Sequence, residues 1–420
     1  MDNFEFAVHK NFGRLSGPPY TIDQVFRPAE YDWPGDWEGR ALLAFAMHAR
    51  LNGRKIPCME QLIAALPEKT NGRGHFGAPF SLGRIDEQQL AGHNWFLRGL
   101  LAYAELPEAE RRDEARRFAK ETVENLFLPA LENYGNYPVR RDKAAGGVSG
   151  NRSAVNDGWW LSTDVGCAFI PLDGLAEYYA ATKDESVGAG ISSAAERFGG
   201  LDFLGLKMQT HATLSALRGI LSFYETTREK KYLELVLEIF GLYLKNGMTL
   251  TYENFNWFGR EDTWTEPCAV VDSLILAIRL FKITADPKYE QLARRIWFNG
   301  LRFCQRSNGG AGPNSCVTKA RPLLRVSMYE APFCCTMRYA EGLRYVAENK
   351  AMFARRDGEI SCEDGRFYRD DRLLVKDESG TFKESETVLV KGKALIELPT
   401  LNRTPEAEAE NAVLRVWFED

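Results

Sequence analysis

The sequence has no basic surplus. Its 53 Lys and Arg are outnumbered by 58 Asp and Glu, giving a formal charge of −5. A protein that neutralises a phosphate backbone carries the opposite balance, so no nucleic-acid partner is expected. Cysteine is scarce as well. Eight in 420 residues are too few for a disulfide scaffold, though enough for a metal site. Long apolar runs are missing. The stretch 268–281 comes closest, but Asp272 and Arg279 interrupt it, so no membrane-spanning helix is expected. Met1-Asp2-Asn3-Phe4-Glu5 lacks the basic segment and apolar core of a secretory signal, which predicts a cytoplasmic protein with reduced thiols. What is present, 45% apolar and 26% charged residues, is ordinary for a folded globular chain. No residue pattern specifies an oligomeric state.

Apolar residues recur near every 3.6 positions and predict helices over 38–51, 87–105, 111–134, 211–224, 270–283 and 289–304. A weak repeat runs through them. Tyr178-Tyr179-Ala180-Ala181-Thr182-Lys183-Asp184 is similar to Phe223-Tyr224-Glu225-Thr226-Thr227-Arg228-Glu229 and to Leu280-Phe281-Lys282-Ile283-Thr284-Ala285-Asp286. Each copy reads as the end of one helix, a short polar turn and the start of the next. Repeated helical hairpins build a solenoid or a closed α/α toroid. Long irregular stretches over 137–164, 249–266 and 308–333 favour the toroid, because a solenoid needs short, regular turns.

Past residue 350 the pattern becomes strand-like, over 359–362, 366–368, 372–375, 387–390, 394–398 and 413–418. The expected fold is therefore mainly α. A toroidal domain over 1–350 is followed by a β-rich, β-sandwich-like segment over 351–420, either packed on the helices or the start of a larger sandwich.

The cysteines divide by position. Cys58, Cys167, Cys304 and Cys362 are scattered and read as buried structural thiols, while Cys316 sits in a loop with no clear assignment. Glu266-Pro267-Cys268 opens one predicted helix and Cys334-Cys335 another. Three thiols and a carboxylate are ligands that zinc accepts, and helix N-termini favour thiolates. Buried inert thiols, or a redox-active Cys334-Cys335 pair, fit the spacing too.

Glu266-Pro267-Cys268 followed by Cys334-Cys335 resembles the zinc-site pattern of glycoside hydrolase family 127 (GH127), the β-L-arabinofuranosidases and their relatives. Gly35-Asp36-Trp37-Glu38-Gly39-Arg40, Leu90-Ala91-Gly92-His93 and Gln209-Thr210-His211-Ala212 extend the resemblance over most of 30–350. It implies an (α/α)6 barrel and retaining glycoside hydrolysis with a cysteine nucleophile. Carried over, Cys334 attacks the anomeric carbon, and Glu266, Cys268, Cys334 and Cys335 hold Zn2+. Glu253, in a Glu-x-Phe context upstream of Glu266, is the general acid, with Glu261 its rival. The substrate is an oligosaccharide or glycoconjugate. His211 and His93 contact the sugar, and Trp257 and Trp264 offer aromatic faces for stacking.

The chain also departs from that family. Phe169-Ile170-Pro171-Leu172-Asp173 carries no histidine where one is expected. Arg294-Arg295-Ile296-Trp297-Phe298-Asn299 stands where a Glu precedes a Leu-Tyr-Asn phrase, and no sugar-binding tyrosines flank Cys316-Val317-Thr318. The departures imply the same chemistry on a different glycone. A carbohydrate-binding relative with a structural zinc site is the alternative of another class.

Overall fold

In a computed structural model of the chain, the described residues are 3–26, 32–139, 148–321, 323–376, 381–384, 389–391, 394–396 and 413–415. They form two compact units. One comprises Leu15–Asn246 and Trp257–Gly259; the other comprises Met1–Arg14, Gly247–Asn256 and Arg260–Asp420.

The first unit is built from helices. Asp36–Asn52 and Glu87–Ala104 make its most extensive helix pair, and Leu172–Thr182 packs on Thr210–Thr227. The first pair approaches closely because Gly39 has no side chain: a Cβ there would lie 2.1 Å from the Phe96 amide nitrogen. Asp86 caps Glu87–Ala104 by accepting from the backbone N–H of Gln88 and Gln89. The second unit carries Pro267–Thr284, Pro287–Arg295 and Cys335–Glu348, with the long stretch 308–333 between the last two. No described helix is long and apolar enough to cross a membrane.

The repeated phrase is a helix-to-helix linker in all three copies. Thr182, Thr227 and Thr284 each turn the hydroxyl back to the carbonyl four residues earlier. The next residue, Lys183, Arg228 or Ala285, adopts a left-handed conformation and closes the helix by donating its N–H to Tyr179, Tyr224 or Phe281. The following N–H donates to the same threonine hydroxyl. Asp184 and Asp286 then cap the next helix. In the first and third copies one threonine and one acidic residue thus satisfy both helix ends.

Toward the C-terminus, Ser361–Glu363, Arg366–Arg369, Arg372–Lys376 and Phe382–Glu384 form an antiparallel meander. Both of its first turns are two-residue loops with positive φ throughout, Asp364-Gly365 and Asp370-Asp371, the geometry that matches strand twist. Arg294 and Arg295 hold this meander to the end of the Pro287–Arg295 helix. Arg294 bonds Asp371 (2.7 Å) and Asp370, and Arg295 grips both Glu363 oxygens at 2.7 and 2.8 Å. The departure at 294–295 thus anchors the β segment. A second sheet pairs Ala394–Ile396, Leu389–Lys391, Val413–Arg415 and Leu323–Arg325 in that order. Phe382–Glu384 and Leu323–Arg325 were not expected as strands; the remainder of 387–398 and 413–418 lies outside the described residues.

Candidate functional site

Proline at the first helical position and a thiol at the second make Glu266-Pro267-Cys268 a helix start. Cys334 is the N-cap of Cys335–Glu348. Two helix N-termini therefore deliver the three sulfurs. Cys334 and Cys335 Sγ are 3.3 Å apart, Cys335 and Cys268 Sγ 3.9 Å, and all three fall within 4.8 Å of one another. All are buried. The half-buried Glu266 carboxylate reaches within 4.8 Å of Cys268 Sγ. Burial pushes the Cys335 thiol well up, and its two thiol neighbours push it further. Three clustered sulfurs with a carboxylate near Cys268 are a donor set that fits a divalent, thiophilic ion such as zinc. Behind them, Asp272, Arg338 and Glu341 form a fully buried ion triad that ties the two thiol-bearing helices together.

Glu253 lies in the loop before this site and is fully buried. Its Oε1 accepts from Asn314 Nδ2 (2.9 Å) and Thr265 Oγ1 (3.0 Å), and its Oε2 from Thr251 Oγ1 (3.2 Å). The Cys304 thiol is 3.9 Å from Oε1. Burial raises its pKa to about 7 against the pull of these hydrogen bonds. The residue before it, Tyr252, has φ 64°; its hydroxyl meets the Tyr368 hydroxyl (2.8 Å) and accepts from Arg295 Nη1 (3.2 Å). The residue after it, Asn254, accepts the Glu266 N–H at 2.9 Å. The loop of the carboxyl and the loop of the ligand are thereby joined through neighbouring residues.

The rest of the expected site is placed as follows. His211 sits in the first turn of Thr210–Thr227, in the other unit, stacked on Trp95 with Nδ1 3.4 Å from Ser215 Oγ. His93 is committed elsewhere: Nδ1 donates to the Gln89 carbonyl (2.7 Å) and Nε2 accepts the Phe76 N–H (2.9 Å). Full burial lowers its pKa to about 3. Both ring nitrogens are thus engaged by backbone groups. Trp257 is fully buried, its backbone bridged to Gln209, so it presents no face for stacking. Trp264 is half-buried beside the thiol loop and bridges Ser315. Glu261 is exposed. Cys316 is buried and donates to the Asn254 carbonyl. Cys362, expected to be buried, is exposed on the meander.

No protein-family model matches the sequence, and no curated protein matches it. Solved structures do. A GH127 β-arabinofuranosidase matches with a TM-score of 0.54 at 11% identity, over 88% of this chain and 61% of that one. A GH127 β-L-arabinofuranosidase from Geobacillus stearothermophilus T6 gives 0.51 at 11%, over 88% and 63%. A structure described as a glycoside hydrolase gives 0.52 at 12%, over 89% and 62%. The chain shares their fold. It is mainly α, of the (α/α)6 type that the resemblance implied, with a small β-rich segment near the C-terminus, as the strand-like runs led us to expect. The chain spans about three fifths of the length of these structures.

Asn314, Thr265, Thr251 and Cys304 were not foreseen around Glu253. Thr265 adjoins Glu266 and Asn314 shares a loop with Cys316, but nothing in the sequence marks Cys304, which reaches the carboxyl from a 3-10 turn at Leu301–Cys304.

Proposed function

We propose that the protein is a zinc-dependent retaining glycosidase acting on a neutral furanoside, with Cys334 as nucleophile and Glu253 as general acid and base. The observation that carries this reading is the convergence of Cys268, Cys334 and Cys335 with Glu266 near Cys268, on a fold shared with glycoside hydrolases. Glu266, Cys268, Cys334 and Cys335 would hold the ion. When bound, zinc keeps thiols deprotonated at neutral pH. In the first step the Cys334 sulfur forms a bond to the anomeric carbon as the glycosidic C–O bond breaks, and Glu253 gives its proton to the leaving oxygen. In the second, Glu253 takes a proton from water, whose oxygen displaces the sulfur and restores the anomeric configuration. A carboxyl with a pKa of about 7 suits both directions of transfer.

A panel of aryl furanosides, read with product stereochemistry, tests this. Retained configuration is expected, together with about one zinc per chain, no turnover in Cys334→Ser and a steep loss in Glu253→Gln. Full activity in either variant, or in zinc-free protein, would sink the proposal. The second reading, carbohydrate binding without turnover, draws on the complete burial of Glu253. Saturable binding with no hydrolysis across the panel would favour it.

A further inference from the structure

Glu253 has two oxygens, and their surroundings differ. Oε1 faces Asn314 Nδ2 at 2.9 Å, Thr265 Oγ1 at 3.0 Å and the Cys304 thiol at 3.9 Å; among the described residues Oε2 faces Thr251 Oγ1 alone, at 3.2 Å. Of the Oε1 partners, the Asn314 amide is the one obliged to donate. Arg306 Nη2 lies 2.8 Å from Asn314 Oδ1, and a guanidinium has no acceptor. The amide oxygen must therefore face Arg306 and the amide nitrogen must face Glu253. A flipped amide would set donor against donor at Arg306 and oxygen against oxygen at Glu253. Arg306 is itself immobilised by the carbonyls of Phe303, Gly312, Pro313 and Tyr329. The second amide hydrogen goes to the Phe303 carbonyl at 3.4 Å. Thr265 Oγ1 accepts the Asn314 backbone N–H at 2.9 Å and gives its own hydrogen to the ionised Oε1.

We infer that Asn314, oriented by Arg306, is a positioning residue that confines the proton of Glu253 to Oε2 and holds down its proton affinity. This deepens the reading of Glu253 as the acid and rests on it. A hydrogen on Oε1 would meet the fixed N–H of Asn314. On Oε2 it meets the Thr251 hydroxyl, which accepts it and turns its own hydrogen to Thr249 Oγ1 at 3.0 Å. When the carboxyl ionises, Thr251 reverses and donates to Oε2. The other titratable groups around the carboxyl leave this ordering intact. Cys304 and Cys316 are thiols pushed up by burial and so neutral, and the Arg306 charge acts from behind the amide.

The ionisation of Glu253 can be read without turnover, as the pH dependence of its infrared carboxylic-acid band, assigned by the band's loss in Glu253→Gln. In Asn314→Ala the band should persist about one pH unit higher, a tenfold rise in proton affinity. The alkaline limb of kcat/KM for an aryl furanoside should move with it, at unchanged zinc content. Asn314→Asp, close in shape but lacking the donor, serves if the alanine variant does not fold, and should shift the band further. A folded variant that titrates like wild type would overturn the inference. A shifted band in a protein that hydrolyses no furanoside would uphold it and defeat the hydrolase reading instead.

Discussion

Glu253 is held partly by an absence. Gly300 joins a π turn, Ile296–Gly300, to the 3-10 turn Leu301–Cys304. A Cβ there would lie 2.6 Å from the Tyr252 carbonyl oxygen, 3.0 Å from its carbonyl carbon and 3.5 Å from Glu253 Cγ. Ordinary contact begins near 3.4 Å, so Gly300→Ala must move the backbone just before Glu253 by about 0.8 Å. The first two clashing atoms are backbone, and Tyr252 is fixed at its other end by Tyr368 and Arg295, so no flexible side chain can absorb the strain. Overpacking of this kind costs about 1–3 kcal/mol. The helix-propensity gain of alanine over glycine, at most about 1 kcal/mol, opposes it without cancelling it. A misplacement approaching 1 Å at a reacting group costs roughly 100-fold in rate.

We therefore expect Gly300→Ala to melt a few degrees lower and to lose tens-fold in kcat/KM on an aryl furanoside. Gly241→Ala is the control. That glycine is exposed on the Lys230–Asn246 helix, and a methyl group placed on it would have nothing within 4 Å. Alanine there should stabilise by about 0.5–1 kcal/mol. If Gly300→Ala matched wild type in both melting and rate, the close approach of this turn to Tyr252 would be wrong.

Two further outcomes follow from buried charge. Asp272→Asn uncouples Arg338 from the Pro267–Thr284 helix and should cost about 3 kcal/mol. Calorimetry should show the lower melting temperature, and zinc release to a chelator should be faster; unchanged values would mean the triad carries no coupling between the thiol-bearing helices. His93 concerns pH. Its folded pKa, lowered to about 3 by burial, lies below the unfolded value near 6.5, so the unfolded chain takes up the proton first. Its stabilising contribution is complete above pH 6.5 and is lost as pH falls toward 3, at up to about 1.4 kcal/mol per pH unit. His48, lowered to about 4 by burial, acts in the same direction. His93→Gln should flatten the fall in stability between pH 6 and pH 4 relative to wild type, whatever its effect at neutral pH. Parallel curves would show that His93 does not titrate as described.

What the sequence made legible was local. The Thr182, Thr227 and Thr284 phrases revealed helical hairpins because a threonine and a left-handed residue, joined in the first and third by an acidic cap, act within five positions. Pro267 and the paired Cys334-Cys335 marked helix starts for the same reason, and that brought three thiols into view. The surroundings of Glu253 were hidden because they come from four separate segments, at 249–251, 265, 304 and 314, which only the long loops bring together. The histidines show the limit from the other side. His93 and His211 each stand in a phrase resembling GH127, yet one has both nitrogens occupied by backbone while the other stacks on Trp95 near Ser215. A phrase records which residue type occupies a position but not where its hydrogen bonds go. The same holds at Arg294 and Arg295. Read as a departure from a sugar site, they proved to anchor the β meander, and through Arg295 and Tyr368 that meander holds Tyr252, the residue beside the proposed acid. A substitution pattern that looks like a change of substrate can therefore be a change in how the same loop is supported.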